Sequence, residues 1–328
     1  MQQRLHPLPL LGALAALTVI AFCVALAVGS VPLPLGAVAR ALGGGGDPLT
    51  RTLVLELRLP RAITAFATGG LLALAGALMQ VLLRNPLADP YILGVSGGAA
   101  VGALLSLLFG LAGYWISGSA FLGALISMLI VFVLAHGRGG WTPTRLLLTG
   151  IVVAFGWGAA ISLLLVLSSD ASLRSMLFWL MGDLSYRSSG WLPLIVVIVG
   201  LAVCMPFARH LNVLARGETL AEALGIAVRP FTIAIYIAAS LFTAVAVTEA
   251  GAIGFVGLVI PHMLRLISGS DHRSLLPGAV LLGGSLLMLV DTLARTVIAP
   301  QQLPVGVVTA AVGVPIFLYL LNRARGPL

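Results

Sequence analysis

There is no lysine in these 328 residues, so all 18 basic side chains are arginine. One consequence is firm. A phosphate-binding loop ends in Gly-Lys-Ser/Thr because the lysine reaches the nucleotide phosphates. The run Gly43–Gly46 followed by Asp47 has no such ending. Any ATP hydrolysis coupled to this chain must come from another polypeptide.

Charge of either sign is scarce too. Only 9% of the residues are charged and 60% are apolar, whereas a soluble domain carries roughly 25% charged residues. A chain this depleted cannot cover a surface facing water, so its solvent is lipid. The length suits one membrane domain over 1–328 rather than two. The two cysteines, Cys23 and Cys204, sit inside apolar runs and give neither a disulfide framework nor a metal site. The five histidines are dispersed, with no His-Glu-x-x-His pair and no nucleophile elbow, so nothing marks a membrane enzyme. An ion-coupled transporter needs intramembrane acids; the candidates are Asp291 and Glu249, both near the ends of apolar runs. The net charge of +8 does not imply nucleic acid, because the arginines are scattered between apolar runs as they are beside membrane spans.

What the chain does have is uncharged stretches of spanning length. About 20 apolar residues cross the hydrocarbon core. Such runs centre on Leu10–Val28, Ala62–Leu83, Leu146–Ser169, Ser188–Ala208, Pro230–Thr248, Ser274–Val290 and Thr296–Asn322. Pro90–Ala135 is too long for one span and is broken at Gly110–Gly118 into two. Ala250–Pro261 is apolar but short, and continues to Ile267 past Arg265. The expectation is an all-α, polytopic membrane protein of about ten spans. The first run is long for a signal-peptide core, and nine more follow.

With the N-terminus in the cytoplasm and the spans alternating, eleven arginines fall inside: Arg4, Arg84, Arg138, Arg145, Arg209, Arg216, Arg229, Arg265, Arg273, Arg323 and Arg325. Seven fall outside: Arg40, Arg51, Arg58, Arg61, Arg174, Arg187 and Arg295. The positive-inside rule favours this direction, with both termini cytoplasmic. Four of the seven exceptions crowd the segment before the second span.

Three segments stand out. Leu57-Arg-Leu-Pro-Arg61 leads into the second span, and Arg84-Asn-Pro-Leu-Ala-Asp-Pro-Tyr-Ile-Leu-Gly-Val-Ser96 leaves it. Pro86 and Pro90 forbid a continuous helix there. Arg216-Gly-Glu-Thr-Leu-Ala-Glu-Ala-Leu-Gly225 lies between the sixth and seventh spans. It reads as a short amphipathic helix, with Leu220, Ala223 and Leu224 on one face, Glu218 and Glu222 at i,i+4, and Gly217 and Gly225 as punctuation. Glu249-Ala-Gly-Ala-Ile-Gly-Phe-Val-Gly-Leu-Val-Ile-Pro-His262 holds three glycines and a proline in an apolar run, the mark of a bent, short span.

Together these segments resemble the permease subunits of the ATP-driven importers for vitamin B12, ferric siderophores and haem, over about Leu57 to Leu321. The resemblance implies the type II importer permease fold. It implies a homodimer in the bacterial inner membrane, two ATP-binding cassette subunits on the cytoplasmic side, and a periplasmic substrate-binding protein outside. ATP and magnesium would sit in the partner subunit and no cofactor in this chain. The coupling element would be Gly217, Glu218, Leu220, Ala221, Ala223, Leu224 and Gly225, within a cytoplasmic segment of about 209–229. Arg58, Arg61 and Arg295 match positions that meet acidic residues of the binding protein. Asn85, Leu87 and Thr144 match the cytoplasmic gate, although Pro143 stands where the family usually has a hydroxyl residue.

The cargo is the least legible part. Arg174, near the outer end of the fifth span, could meet the carboxylates of an anionic chelate. Met176, Phe178, Trp179 and Met181 would add soft apolar surface. This leans towards an iron complex, haem or ferric siderophore, with vitamin B12 as the alternative. His262 belongs to the family motif and is not read as an iron ligand.

Overall fold

The structure, a computed structural model, describes residues 7–136, 142–185 and 190–323. Arg4, Arg138, Arg187 and Arg325 of the charge count, and Ser188 at the start of the sixth apolar run, lie outside the described residues. Among the described residues all regular structure is helical.

The chain begins with α1 (Pro7–Ala27), followed by the short α2 (Leu35–Leu42) and α3 (Pro48–Thr52). Asp47 starts α3 by accepting the Thr50 N–H at 2.9 Å. A π-helical turn, Leu53–Arg58, then feeds α4 (Leu59–Leu82) without a break. After a turn and a 3₁₀ segment at Pro90–Leu93 come α5 (Val95–Leu108) and α6 (Tyr114–Ala135). Next are α7 (Pro143–Leu167), α8 (Asp170–Leu180), α9 (Trp191–Cys204), α10 (Ala208–Leu214) and α11 (Glu218–Ala223). The chain ends with α12 (Val228–Ala250), α13 (Val256–Ser268), α14 (His272–Thr296) and α15 (Val305–Arg323).

Ten apolar helices follow the ten apolar runs. Seven described helices are long and apolar enough to cross a membrane, while α5, α13 and the apolar part of α15 are shorter. The 13 residues of α13 and 14 of α5 reach only ~20 Å at 1.5 Å per residue, against a core of about 30 Å. α2 and α3 were not expected, since at 8 and 5 residues neither is long enough to read as a span. Arg174, read as near the outer end of the fifth span, lies on α8, a separate helix that begins just past the end of α7.

α4 is the axis of the bundle. From Ala62 to Leu82 all but Phe66 are buried, against α14, α12, α13 and α9. Small residues make this possible, because backbones in lipid approach through glycine and alanine rather than through apolar burial. A methyl on Gly69 would strike the carbonyl of Gly283 in α14, and one on Gly76 would strike that of Gly257 in α13. By contrast most of α7 is exposed.

Candidate functional sites at the two ends of the bundle

At the end of the bundle that carries α3, a cavity of about 530 Å³ is lined by Gly29, Glu56, Arg58, Arg61, Ser185, Arg295 and Gln302 among others. The three arginines singled out in the sequence thus share one site. Their exposure differs from the sequence expectation. Arg58 is 7% exposed and Arg295 is 8% exposed. The Arg58 guanidinium donates to the carbonyls of Leu26 at 2.7 Å and Ala27 at 3.0 Å, and to that of Val31. Leu26 and Ala27 are the last residues of α1, where a cation meets the helix dipole, and Val31 lies in the loop that follows. Gly29 leaves the room, since a methyl there would lie 2.9 Å from Arg58 Nη2.

Asp291 organises the other two. Its side chain is 2% exposed. Arg61 donates from Nε at 3.0 Å to both carboxylate oxygens and from Nη2 at 2.8 Å to Oδ1. Arg295 Nε stands 3.0 Å from Oδ2 as an ion-pair contact. Arg61 Nη1 reaches Gln302 Oε1 at 3.1 Å and Ser185 Oγ at 3.3 Å. The sequence placed Asp291 only as an acid near a span end; its Arg61 partner lies 230 residues away. On the same end, Arg40 and Arg51 are exposed.

At the opposite end, α11 stands between glycines at φ 130° (Gly217) and φ 78° (Gly225). Leu220 is 42% exposed and Leu224 62%, and Ala223 is exposed beside them, while Ala221 faces the protein at 0%. The apolar face read from the sequence therefore has no cover among the described residues. Glu218 Oε1 is 3.1 Å from Arg84 Nη2. Arg84 closes α4 at φ 48°, a left-handed conformation uncommon outside glycine. Asn85, exposed, turns the chain by accepting the Leu87 N–H at 2.9 Å. Thr144 lies exposed in the first turn of α7. The odd proline beside it has a local reason. Thr142 caps α7 by accepting the Arg145 N–H at 3.3 Å, and Pro143 fills the first helical position, where no N–H is needed.

Between the ends, the two interrupted segments meet. The 3₁₀ turn begins at Asp89, which accepts the Tyr91 N–H at 2.8 Å. Pro90 packs on Gly257, where a methyl would lie 2.7 Å from its Cδ. Tyr91 Oη accepts the N–H of Ile253 at 3.0 Å, in the non-helical stretch before α13. Gln80 of α4 donates to the carbonyls of Ala88 at 3.4 Å and Leu258 at 3.2 Å, and accepts from Arg265. Sequence reading missed Gln80. A lone amide in an apolar span was the signal, since such groups bind partners inside the bundle.

The substrate-path residues are not brought together. Arg174 is exposed and stacks over Phe178, 5.8 Å from the ring centroid. Met176 is fully buried and offers no surface, which corrects its reading as a path residue in this conformation.

Residues 17–323 match the FecCD transport family. The cobalamin import system permease protein BtuC of Halobacterium salinarum is 42% identical, covering 94% of this chain and 84% of the relative. The vitamin B12 import system permease protein BtuC of Escherichia coli O9:H4 is 39% identical over 85% of this chain and 86% of the relative. A solved inward-facing structure described as a metal-chelate type ABC transporter superposes with a TM-score of 0.84 at 31% identity, covering 95% of this chain and 98% of that one. The chain belongs to the FecCD transport family and is the permease subunit of an ABC importer, a transport component whose ATP hydrolysis is carried by a separate subunit.

Proposed function

We propose that two copies of this chain form the pathway of an inner-membrane importer for a corrinoid of the vitamin B12 class. The two curated import permeases described above, from an archaeon and a bacterium, carry that cargo in their names. The lean towards an iron complex drew on Arg174 and Met176. Arg174 is exposed beside Phe178, and Met176 is buried and adds no surface for such a cargo.

The α11 end faces the cytoplasm, and two ATP-binding cassette subunits, which hold ATP and magnesium, dock on Leu220, Ala223 and Leu224. The observation that carries this is the uncovered apolar face of a helix bracketed by two left-handed glycines. Two exposed leucines on a polar end need a partner. The charge asymmetry supports the same orientation. Arg58, Arg61 and Arg295, which weighed against it, are tied to carbonyls and to Asp291. A periplasmic binding protein delivers cargo to the α3 end, and both chain termini are cytoplasmic. Asn85, Leu87 and Thr144 form the cytoplasmic gate, which opens when the ATPases pull on α11.

The test is uptake into proteoliposomes holding this chain, its ATPase and its binding protein. ATP-dependent accumulation of radiolabelled cyanocobalamin, unaffected by excess haem or ferric hydroxamate, is the expected result. Accumulation of a ferric chelate or haem instead would return the cargo to the iron complexes.

A further inference from the structure

We propose that the Arg84–Glu218 ion pair carries movement of α11 into the Arg84–Pro90 turn and, through Gln80, to the short helix α13. The inference rests on α11 as the ATPase-facing element. Four observations carry it.

The pair joins α11 to the turn that ends the central helix α4. Arg84 takes the left-handed conformation that commonly ends a helix. Its turn is tied back to α4, with the Arg84 N–H on the Val81 carbonyl at 3.1 Å and the Asn85 N–H on the Gln80 carbonyl at 3.2 Å. Gln80, 4% exposed, then bridges the turn at Ala88, the first part of α13 at Leu258, and the later Arg265. A pull on Glu218 thus meets a continuous chain of polar contacts into an interrupted helix.

Both side chains of the pair are well exposed, at 38% and 42%. Such a pair adds little to stability, so a bracing role is a poor account of it. It borders a cavity of about 640 Å³ that Gln80, Arg84, Arg216 and Arg265 share, which leaves the turn room to shift. Contiguity alone does not establish coupling; a charge swap does.

The experiment uses the full chain with Cys23 and Cys204 replaced by serine and Leu87→Cys as a reporter, reconstituted with its ATPase. The readout is the maleimide labelling rate of the reporter with and without ATP and vanadate. In the parent, nucleotide changes the rate. R84E and E218R each reduce that change about fivefold or more, and the R84E/E218R swap restores it. Single variants that keep the full response overturn the proposal. So does a swap that fails to restore it. ATPase co-purification is scored on the same samples. Its loss in E218R, persisting in the swap, assigns Glu218 to docking and overturns the relay. A parent that neither responds to nucleotide nor retains an ATPase sinks the reading of α11 itself, and this proposal with it.

Discussion

The phenol oxygen of Tyr91 accepts the backbone N–H of Ile253 at 3.0 Å, and so joins the broken starts of two helices that are each too short to cross a bilayer. Non-helical backbone at membrane depth survives only when protein or water satisfies it. Tyr91 supplies that partner from a different segment of the chain. Tyr91→Phe keeps the ring and removes the acceptor. It should cost about 1–3 kcal/mol, the penalty of an orphaned buried donor. Denaturant unfolding in detergent checks this, and a variant as stable as the parent would mean that water or another group already serves Ile253.

The crossings of α4 should respond to a single methyl. At Gly69 an added Cβ would collide with the Gly283 carbonyl, a backbone atom that cannot swing away. Gly69→Ala should destabilise by at least about 1–3 kcal/mol, as overpacking does. Gly12 in α1 has nothing within 4 Å of the same methyl. Gly12→Ala should be neutral or stabilise by up to about 1 kcal/mol through helix propensity. Thermal melts of the two variants side by side decide it; equal losses would show that glycine is wanted for something other than close approach.

Asp291 is ion-paired to both Arg61 and Arg295, and it is nearly inaccessible. Asp291→Asn leaves Arg61 and Arg295 buried without their counter-charge. Removing one member of a buried pair costs roughly 3–5 kcal/mol. Arg61→Gln should cost less, because the Arg61 side chain is 14% exposed and Arg295 would still hold Asp291. The order of the two losses, read by unfolding in detergent, is the test. An Asp291→Asn protein with the parent's midpoint would mean that the network opens to solvent.

How much of this was legible in the sequence follows from which signals are local. Spans of about 20 uncharged residues reveal themselves, and so does a break near Gly110–Gly118, although the loop between α5 and α6 is only 109–113 and Tyr114–Gly118 already belong to α6. The amphipathic face of Leu220, Ala223 and Leu224 is a local pattern too. The burial of Arg58 and Arg295 is not. An arginine beside a span reads the same whether it waits for a partner or already clasps the end of α1. The acceptors of Arg58 are carbonyls, which every residue has; Asp291 stands only four residues before Arg295, but that spacing does not tell that the pair is buried. Met176 failed for the same reason, since position along a helix does not tell which side the rest of the bundle covers. Gln80 and Tyr91 were visible as polar groups in apolar surroundings, but their partners, Leu258 and Ile253, are backbone atoms that no residue pattern announces.

The two kinds of arginine at the α3 end should separate in a binding measurement. Arg40 and Arg51 are exposed, so they act on a docking protein through its encounter rate. Rim charges change association and salt dependence more than they change the bound complex. Arg51→Gln should therefore slow association with the purified binding protein by roughly twofold to fivefold at low salt, with the difference fading as ionic strength rises and the Debye length shortens. Its melting temperature should not move. Arg58→Gln should do the reverse. It unties the end of α1 at Leu26 and Ala27 from the loop at Val31, lowers the melting temperature, and affects docking only through that loss of order. Surface plasmon resonance at two ionic strengths, paired with melts, separates them. An Arg58→Gln protein of parental stability that binds poorly would make Arg58 a direct contact after all, and would require its guanidinium to leave the α1 carbonyls when the partner arrives.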